Sequence, residues 1–119
     1  MNLHLKALDD VGELIFESSV AIDATHLIAV AESKVPLARS TGREFTEGAV
    51  PFFAAELLNA AQRGADDDEL RRLSINVCVA AWLADSIYGE VSEDEFVNSN
   101  LHFTLLANGA VKYDRIRKS

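Results

Sequence analysis

The chain carries a single thiol, Cys78, and a thiol is a strong nucleophile only when its pKa is lowered and solvent can reach it. Cys78 stands between Val77 and Val79 in the most apolar segment of the chain. Neither a neighbouring cation nor a helix start is present in the sequence there to lower its pKa. We therefore assign Cys78 a buried packing role, which is common for free cysteines.

The three imidazole groups, His4, His26 and His102, are the remaining candidates for base catalysis or metal binding. No two of them stand at the short spacing with which one helix or turn holds a metal ion. His4 and His102 both lie in segments with a strand pattern, so they meet if the two hairpins described below pair edge to edge. We interpret each as a surface or half-buried imidazole and predict no metal site.

Carboxylates that act as an acid and base pair need environments that separate their pKa values. Two acidic groups, Asp66–Glu69 and Glu93–Glu95, look uniformly solvated and are explained by helix capping. Asp85 differs, because it shares a predicted helix with Trp82 and Tyr88 at the edge of the core. We interpret Asp85 as a satisfied or edge-exposed carboxylate; the alternative is a pocket lined by Asp85, Trp82 or a histidine.

Motifs for phosphate binding or acyl transfer are absent from the sequence. Thr41-Gly42-Arg43 and Gly48 lack both the spacing of a phosphate-binding loop and a preceding strand, and no Gly-x-Ser-x-Gly elbow occurs. We therefore predict no catalytic residue and no cofactor, and expect a protein that is not an enzyme.

Two hairpins are predicted, one at each end of the chain. Leu3, Leu5 and Ala7 alternate with polar residues, and after a break at 9–12 the segment 13–22 is rich in β-branched and aromatic residues. Near the other end, Asn108-Gly109 separates two such runs, which predicts a type I′ turn. The alternative is a helix from Ser92 to Ala107 that ends at Asn108-Gly109.

Helical periodicity occupies the middle of the chain. A first helix should run from Asp23 to Val35-Pro36, followed by an exposed loop over 39–48. A second should run from near Pro51 to Gly64 with Phe52, Phe53, Ala55 and Leu58 on its core face. A third, 70–88, is apolar around most of its circumference and should be central. A short helix follows Ser92, and the basic tail 115–118 should fray.

These elements predict an α+β fold, with two layers in which both hairpins form a small antiparallel sheet packed against three to four helices. A length of 119 residues suits one globular domain, 1–119. No apolar run is long enough to cross a bilayer, the N-terminus lacks the apolar run of a signal peptide, and there is one cysteine. We expect a cytoplasmic location.

The formal charge of −8 argues against binding to nucleic acid or an anionic membrane and favours another protein, with a basic surface, as the partner. The function we predict is binding by occlusion, as in an immunity protein or an antitoxin-type inhibitor of a basic effector. The predicted contact residues are Asp66, Asp67, Asp68, Glu69, Glu93, Asp94 and Glu95. One alternative is a homo-oligomer or accessory subunit in which Phe52-Phe53 and Leu57-Leu58 are covered; a small-molecule-binding domain is the other.

Overall fold

The computed structural model describes residues 1–118 and confirms an α+β fold of two layers. Two strands come first, then four helices, then two strands. The bounds are β1 (Asn2–Leu8), β2 (Leu14–Ala21), α1 (Ala24–Thr41), α2 (Arg43–Gln62), α3 (Asp67–Leu83), α4 (Glu93–Val97), β3 (Ser99–Leu105) and β4 (Val111–Arg117). Between α3 and α4 the backbone continues as a π-helical turn, Ala84–Tyr88, called the π turn below.

The strands form one sheet in the order β2-β1-β3-β4. Each hairpin is antiparallel as predicted, but the two hairpins join through β1 and β3, which run parallel from Leu3 opposite Leu101 to Ala7 opposite Leu105. The sheet is therefore mixed, and the prediction of a purely antiparallel sheet is wrong. Alternation of apolar residues carries no information on strand direction, and the helices between β2 and β3 supply the long crossover that parallel neighbours require.

Both hairpins close with the same type of loop. In Asp9–Glu13 and in Leu106–Ala110, the first residue donates its N–H to the carbonyl of the last. A glycine, Gly12 or Gly109, precedes that last residue with φ of 83° or 86°. Asn108 does not adopt positive φ, so the predicted type I′ turn is wrong in detail. Three-residue loops place a single left-handed residue at this point, which glycine adopts without a steric penalty.

The hairpin at residues 99–117 replaces the alternative helix from Ser92 to Ala107, which is wrong. α4 stops at Val97, where the side-chain amide of Asn98 donates to the carbonyl of Asp94 at 2.8 Å. The next residue, Ser99, is fully buried and begins β3. The prediction that the basic tail frays is also wrong for residues 115–117, because they belong to β4, which extends to Arg117.

The helical layer is longer than the sequence predicts. α1 continues through Pro36 to Thr41, and only Gly42, with φ of 92°, separates it from α2. The predicted helix end at Pro36 and the predicted loop over 39–48 are therefore wrong. A proline removes one backbone hydrogen bond. The chain nevertheless stays helical beyond Pro36, with Ala38 of α1 and Thr46 of α2 buried on the two sides of Gly42.

The start and the buried face of α2 also differ from prediction. Pro51 lies inside α2 rather than at its first turn, since α2 begins eight residues earlier, at Arg43. Leu58 is buried as predicted, whereas Phe52 is 60% exposed. The buried face of α2 instead follows Val50, Ala54 and Leu58 at intervals of four residues, and Phe52 lies off that row.

The helices pack on one face of the sheet, and α3 is central as predicted. Every residue of α3 from Val77 to Leu83 is buried, including the thiol of Cys78. Opposite them, β1 and β3 contribute the fully buried side chains Leu3, Leu5, Leu101 and Phe103. On β1 and β3 the other face, called the open face below, carries mostly polar, half-buried side chains. No helix within residues 1–118 has the length and hydropathy needed to cross a bilayer.

Candidate functional site

The best-defined cluster of interacting ionisable groups surrounds Asp85 in the π turn. The hydroxyl of Tyr113 donates to Asp85 Oδ2 at 2.8 Å, and Arg115 Nε lies 3.4 Å from the same oxygen. Arg115 Nη1 lies 3.5 Å from Glu95 Oε1. Tyr113 and Arg115 are two residues apart in β4 and therefore point to the same face of the sheet. The cluster thus links the π turn, α4 and β4.

The backbone around Asp85 is unusual at three successive points. The π turn is followed by Gly89, where a Cβ atom would stand 2.9 Å from the carbonyl oxygen of Asp85. Glu90 then adopts φ of 56°, which is rare for a residue other than glycine. Val91 donates its N–H to the carbonyl of Asp85 at 2.9 Å and so closes the segment. π turns and residues with positive φ are enriched at functional sites.

Burial dominates the electrostatics of this cluster. Burial raises the pKa of Asp85 above its ordinary value, and the Tyr113 hydroxyl and the Arg115 guanidinium oppose the rise without cancelling it. Burial and the nearby Asp85 carboxylate also raise the pKa of Tyr113 above its ordinary value. Tyr113 therefore keeps its proton at neutral pH and acts as a permanent hydrogen-bond donor to Asp85.

A cavity of about 300 Å³, called the Asp85 cavity below, opens beside this carboxylate. Arg43, which is paired with Glu47, lines it with its guanidinium carbon 6.0 Å from the centroid of the Tyr88 ring. Trp82 does not line the cavity and packs instead against Phe96, with ring centroids 5.0 Å apart. The pocket considered from the sequence thus exists beside Asp85, without Trp82 and without a histidine.

A second concave surface, called the helical groove below, lies between α1, α2 and α3 and has a volume of about 350 Å³. Its lining is mainly apolar and comes from residues 30–41, 45–53 and 76–83. Leu37 and Phe45 line the groove although 59% and 67% of their surfaces are exposed. Lys34 is the one charged side chain in the described lining.

On the open face of the sheet, His4 and His102 stack with ring centroids 4.5 Å apart, as their predicted meeting requires. Ser19 Oγ lies 2.8 Å from His4 Nδ1, and Asp114 lies opposite His102 on β4. Burial, together with the neighbouring His4, lowers the pKa of His102 below its ordinary value. His26 is remote, in the first turn of α1.

This row of polar residues does not assemble a catalytic triad or a metal centre. In a catalytic triad, one imidazole contacts both the hydroxyl nucleophile and a carboxylate. Here Ser19 contacts His4, whereas Asp114 lies opposite the other imidazole, His102. Within the described part of the chain, no group of three or more His, Cys, Asp or Glu side chains has the geometry to hold a metal ion. Cys78 is buried, and burial raises its pKa to about 12, so its thiol is unreactive.

The two acidic segments predicted to contact a partner lie at the starts of α3 and α4. Asp66 caps α3 by accepting from the N–H of Glu69 at 2.9 Å, and Asp67, Asp68 and Glu69 form the first turn. Ser92 caps α4 by accepting from the N–H of Glu95 at 3.1 Å, and the first turn is Glu93, Asp94 and Glu95. α3 lies between the two segments in the chain, and its 17 residues span about 25 Å. Contact of either segment with a partner stays a prediction.

Comparisons of the chain with protein-family models, with curated proteins and with solved structures give no match. The candidate residues are therefore identified from geometry. Sequence reasoning found Asp85 but missed Tyr113, Arg115 and Arg43, because the last two lie in the predicted tail and loop. The available signal was the two-residue spacing of Tyr113 and Arg115, which puts a phenol and a cation on one face of a strand.

Proposed function

We propose that this chain is a protein-binding domain that holds an amphipathic helix of another protein in the helical groove. The observation that carries the proposal is the exposure of Leu37 and Phe45 in the lining of an apolar groove formed by three helices. Large apolar side chains clustered at a concave surface mark interaction sites more often than isolated ones do. Occlusion of the partner's working surface, as by an immunity protein or antitoxin, is the mode of action we favour.

The spacing of the groove residues suits a helical occupant. On α1 the lining residues Val30, Lys34, Leu37 and Thr41 recur every three to four positions, as do Phe45, Ala49 and Phe53 on α2. These rows form ridges, and a helix packs by laying its own ridges into the grooves between them. An occupant with apolar side chains at positions i, i+3 or i+4, and i+7 is complementary to this surface.

Charge defines the occupant further. The chain carries a formal charge of −8, yet the described lining of the groove contains Lys34 and no carboxylate. An apolar strip with one carboxylate opposite Lys34 would complete the pairing, because the Lys34 ammonium would otherwise be desolvated alone. The acidic segments lie outside the groove, where they would steer a basic partner toward it.

Paired substitutions of exposed residues test the proposal. A partner captured from the native host with the intact domain is identified, purified and titrated against variants. Phe45→Ala and Leu37→Ala are expected to raise the dissociation constant about tenfold or more, because apolar anchors at an interface centre dominate affinity. Phe52→Ala is the control: Phe52 is 60% exposed on the same helix but does not line the groove. Equal effects of Phe45→Ala and Phe52→Ala would contradict the proposal.

The alternative of a homo-oligomer is resolved by light scattering. If Phe52-Phe53, whose rings meet edge to face at 5.4 Å, form a self-association surface, the chain is a dimer or larger and Phe52→Ala dissociates it. A dimer that Phe45→Ala dissociates would instead make a second copy the occupant of the groove. A monomer agrees with a different protein as the occupant.

Electrostatic steering has its own test, which leaves the groove intact. Asp67→Lys with Asp68→Lys is expected to slow association with the purified partner about tenfold and to flatten its dependence on salt. Both residues lie in the first turn of α3, whereas α3 lines the groove only with residues 76–83. An unchanged association rate would remove the acidic segment from the recognition surface.

A further inference from the structure

The Asp85 cavity has the size and composition of a small-ligand site, and it is separate from the helical groove. Its volume of about 300 Å³ falls at the lower end of the range for small-molecule sites. Its lining combines apolar side chains, from Val50, Pro51 and Ala84, with polar groups that include Asp85, Tyr88 and Arg43. Apolar walls with a few placed polar groups are the usual composition of ligand sites.

One oxygen of Asp85 remains available to a ligand. The contacts of the carboxylate with Tyr113 and with Arg115 both involve Oδ2. Within residues 1–118, Oδ1 has no hydrogen-bond partner, although a carboxylate accepts about four hydrogen bonds. The side chain is 20% exposed and lines the cavity. A ligand that donates hydrogen bonds can therefore add to the existing contacts without displacing Tyr113 or Arg115.

The charges around the cavity leave one negative charge uncompensated. The cluster contains the cations Arg43 and Arg115 and the carboxylates Glu47, Asp85 and Glu95, a balance of two against three. Arg43 is engaged by Glu47, and Arg115 divides its guanidinium between Asp85 and Glu95. A ligand with one positive charge completes this balance, whereas an anion would add to the excess.

We propose that the Asp85 cavity binds a primary ammonium group carried on a short alkyl chain. The ammonium donates to Asp85 Oδ1, and the alkyl chain packs against Val50 and Pro51. The π turn, with Gly89 and Glu90 behind it, fixes Asp85 in place before the ligand arrives. Such preorganisation lowers the entropic cost of binding. This proposal does not depend on the helical groove.

Three probes of matched size test the charge requirement on the intact chain. In amide NMR titrations, n-butylammonium chloride is expected to give saturable shifts in the millimolar range at Val50, Ala84 and Gly89. Sodium butyrate is expected to give none there, and n-butanol only weak ones. Lack of saturable shifts with butylammonium, or shifts of equal size with butyrate, would overturn the proposal. This comparison requires no variant, so an unfolded variant cannot obscure it.

Two substitutions test the role assigned to the carboxylate. Asp85→Asn keeps an acceptor for Tyr113 but removes the charge, so butylammonium binding is expected to weaken about tenfold or more. Asp10→Asn removes one charge in an exposed loop and is expected to leave binding unchanged. Equal binding by Asp85→Asn and the parent chain would refute the site.

Discussion

Replacement of Tyr113 by Phe removes one hydroxyl from the Asp85 cluster and leaves the rest of the side chain in place. The ring of Tyr113 stacks on Phe103 with centroids 4.9 Å apart and an interplanar angle of 13°, and phenylalanine preserves that contact. The perturbation is therefore confined to the hydrogen bond with Asp85 Oδ2. We expect Tyr113→Phe to fold and to be less stable than the parent chain.

The size of the loss follows from the charge of the acceptor. Hydrogen bonds to charged groups contribute about 1.5–3 kcal/mol to stability. Asp85 is 20% exposed, so water partly replaces the lost donor and the lower limit, about 1.5 kcal/mol, applies at neutral pH. For a chain of 119 residues this corresponds to a fall in Tm of about 6 °C.

The loss should depend on pH in a defined direction. Because the folded-state pKa of Asp85 is raised, the native state binds the proton more tightly than the unfolded chain. Ionised Asp85 therefore costs stability, and this cost appears as pH rises from the unfolded to the folded pKa. The Tyr113 hydroxyl lowers the folded-state pKa of Asp85, so its removal widens the gap between the folded and unfolded pKa values. The loss of stability caused by ionised Asp85 therefore increases at pH values above both. Below the unfolded pKa the carboxyl group is protonated in both states and the increase vanishes.

Thermal and urea denaturation at neutral pH and below about pH 4 measure this dependence. Tyr88→Phe is the control, because the Tyr88 hydroxyl donates to the neutral carbonyl of Ala38 at 3.3 Å. Its loss should be about 0.5–1 kcal/mol and the same at both pH values. A loss for Tyr113→Phe that does not shrink in acid, or that is no larger than the loss for Tyr88→Phe, would refute the reasoning.

Three further predictions concern a glycine, the thiol and the stacked histidines. Gly89→Ala should lower the free energy of unfolding in urea by about 2 kcal/mol, because its Cβ would meet the Asp85 carbonyl at 2.9 Å. Gly48→Ala, with open space around it inside α2, should raise stability by about 0.5–1 kcal/mol; the reverse order would contradict this account. Cys78, with its pKa raised by burial, should react with a disulfide reagent only at the rate of unfolding, and rapid reaction in native buffer would argue against its burial. In an NMR titration the pKa of His102 should lie below its ordinary value and should rise in His4→Gln. An unchanged pKa would exclude repulsion from His4 as a cause of the lowered value.

The sequence predicts those parts of the fold that short-range physics determines. Alternation predicted the first hairpin and Asn108-Gly109 the second. The cap at Ser92 follows from its spacing to Glu95, and Asp66 is one of the carboxylates predicted to cap α3. Strand direction was not predictable, because the parallel pairing of β1 with β3 depends on how the helices return the chain to the sheet. Pro36 and Pro51 misled the helix bounds, since packing outweighs one lost hydrogen bond.

The two candidate sites depend on these same long-range features. Asp85 was recognised from its place beside the core, but its donor Tyr113 is 28 residues away and reaches it only after β4 joins the sheet. The helical groove could not be predicted, because Thr41, Phe45 and Thr46 fall in the segment predicted to be a loop. The contact between His4 and His102 was predicted on the condition that the two hairpins pair edge to edge. The pairing of β1 with β3 meets that condition.

Hydrogen–deuterium exchange of the domain, with and without the captured partner, tests the proposed protein-binding function most directly. If the partner binds in the helical groove, backbone amides of residues 30–53 and 76–83, which form its walls, should exchange more slowly in the complex. Residues 66–69 and 93–95, whose acidic side chains are proposed to steer the partner from outside the groove, should change less than the groove walls. Protection confined to those acidic segments, with no change along the groove, would contradict the proposal.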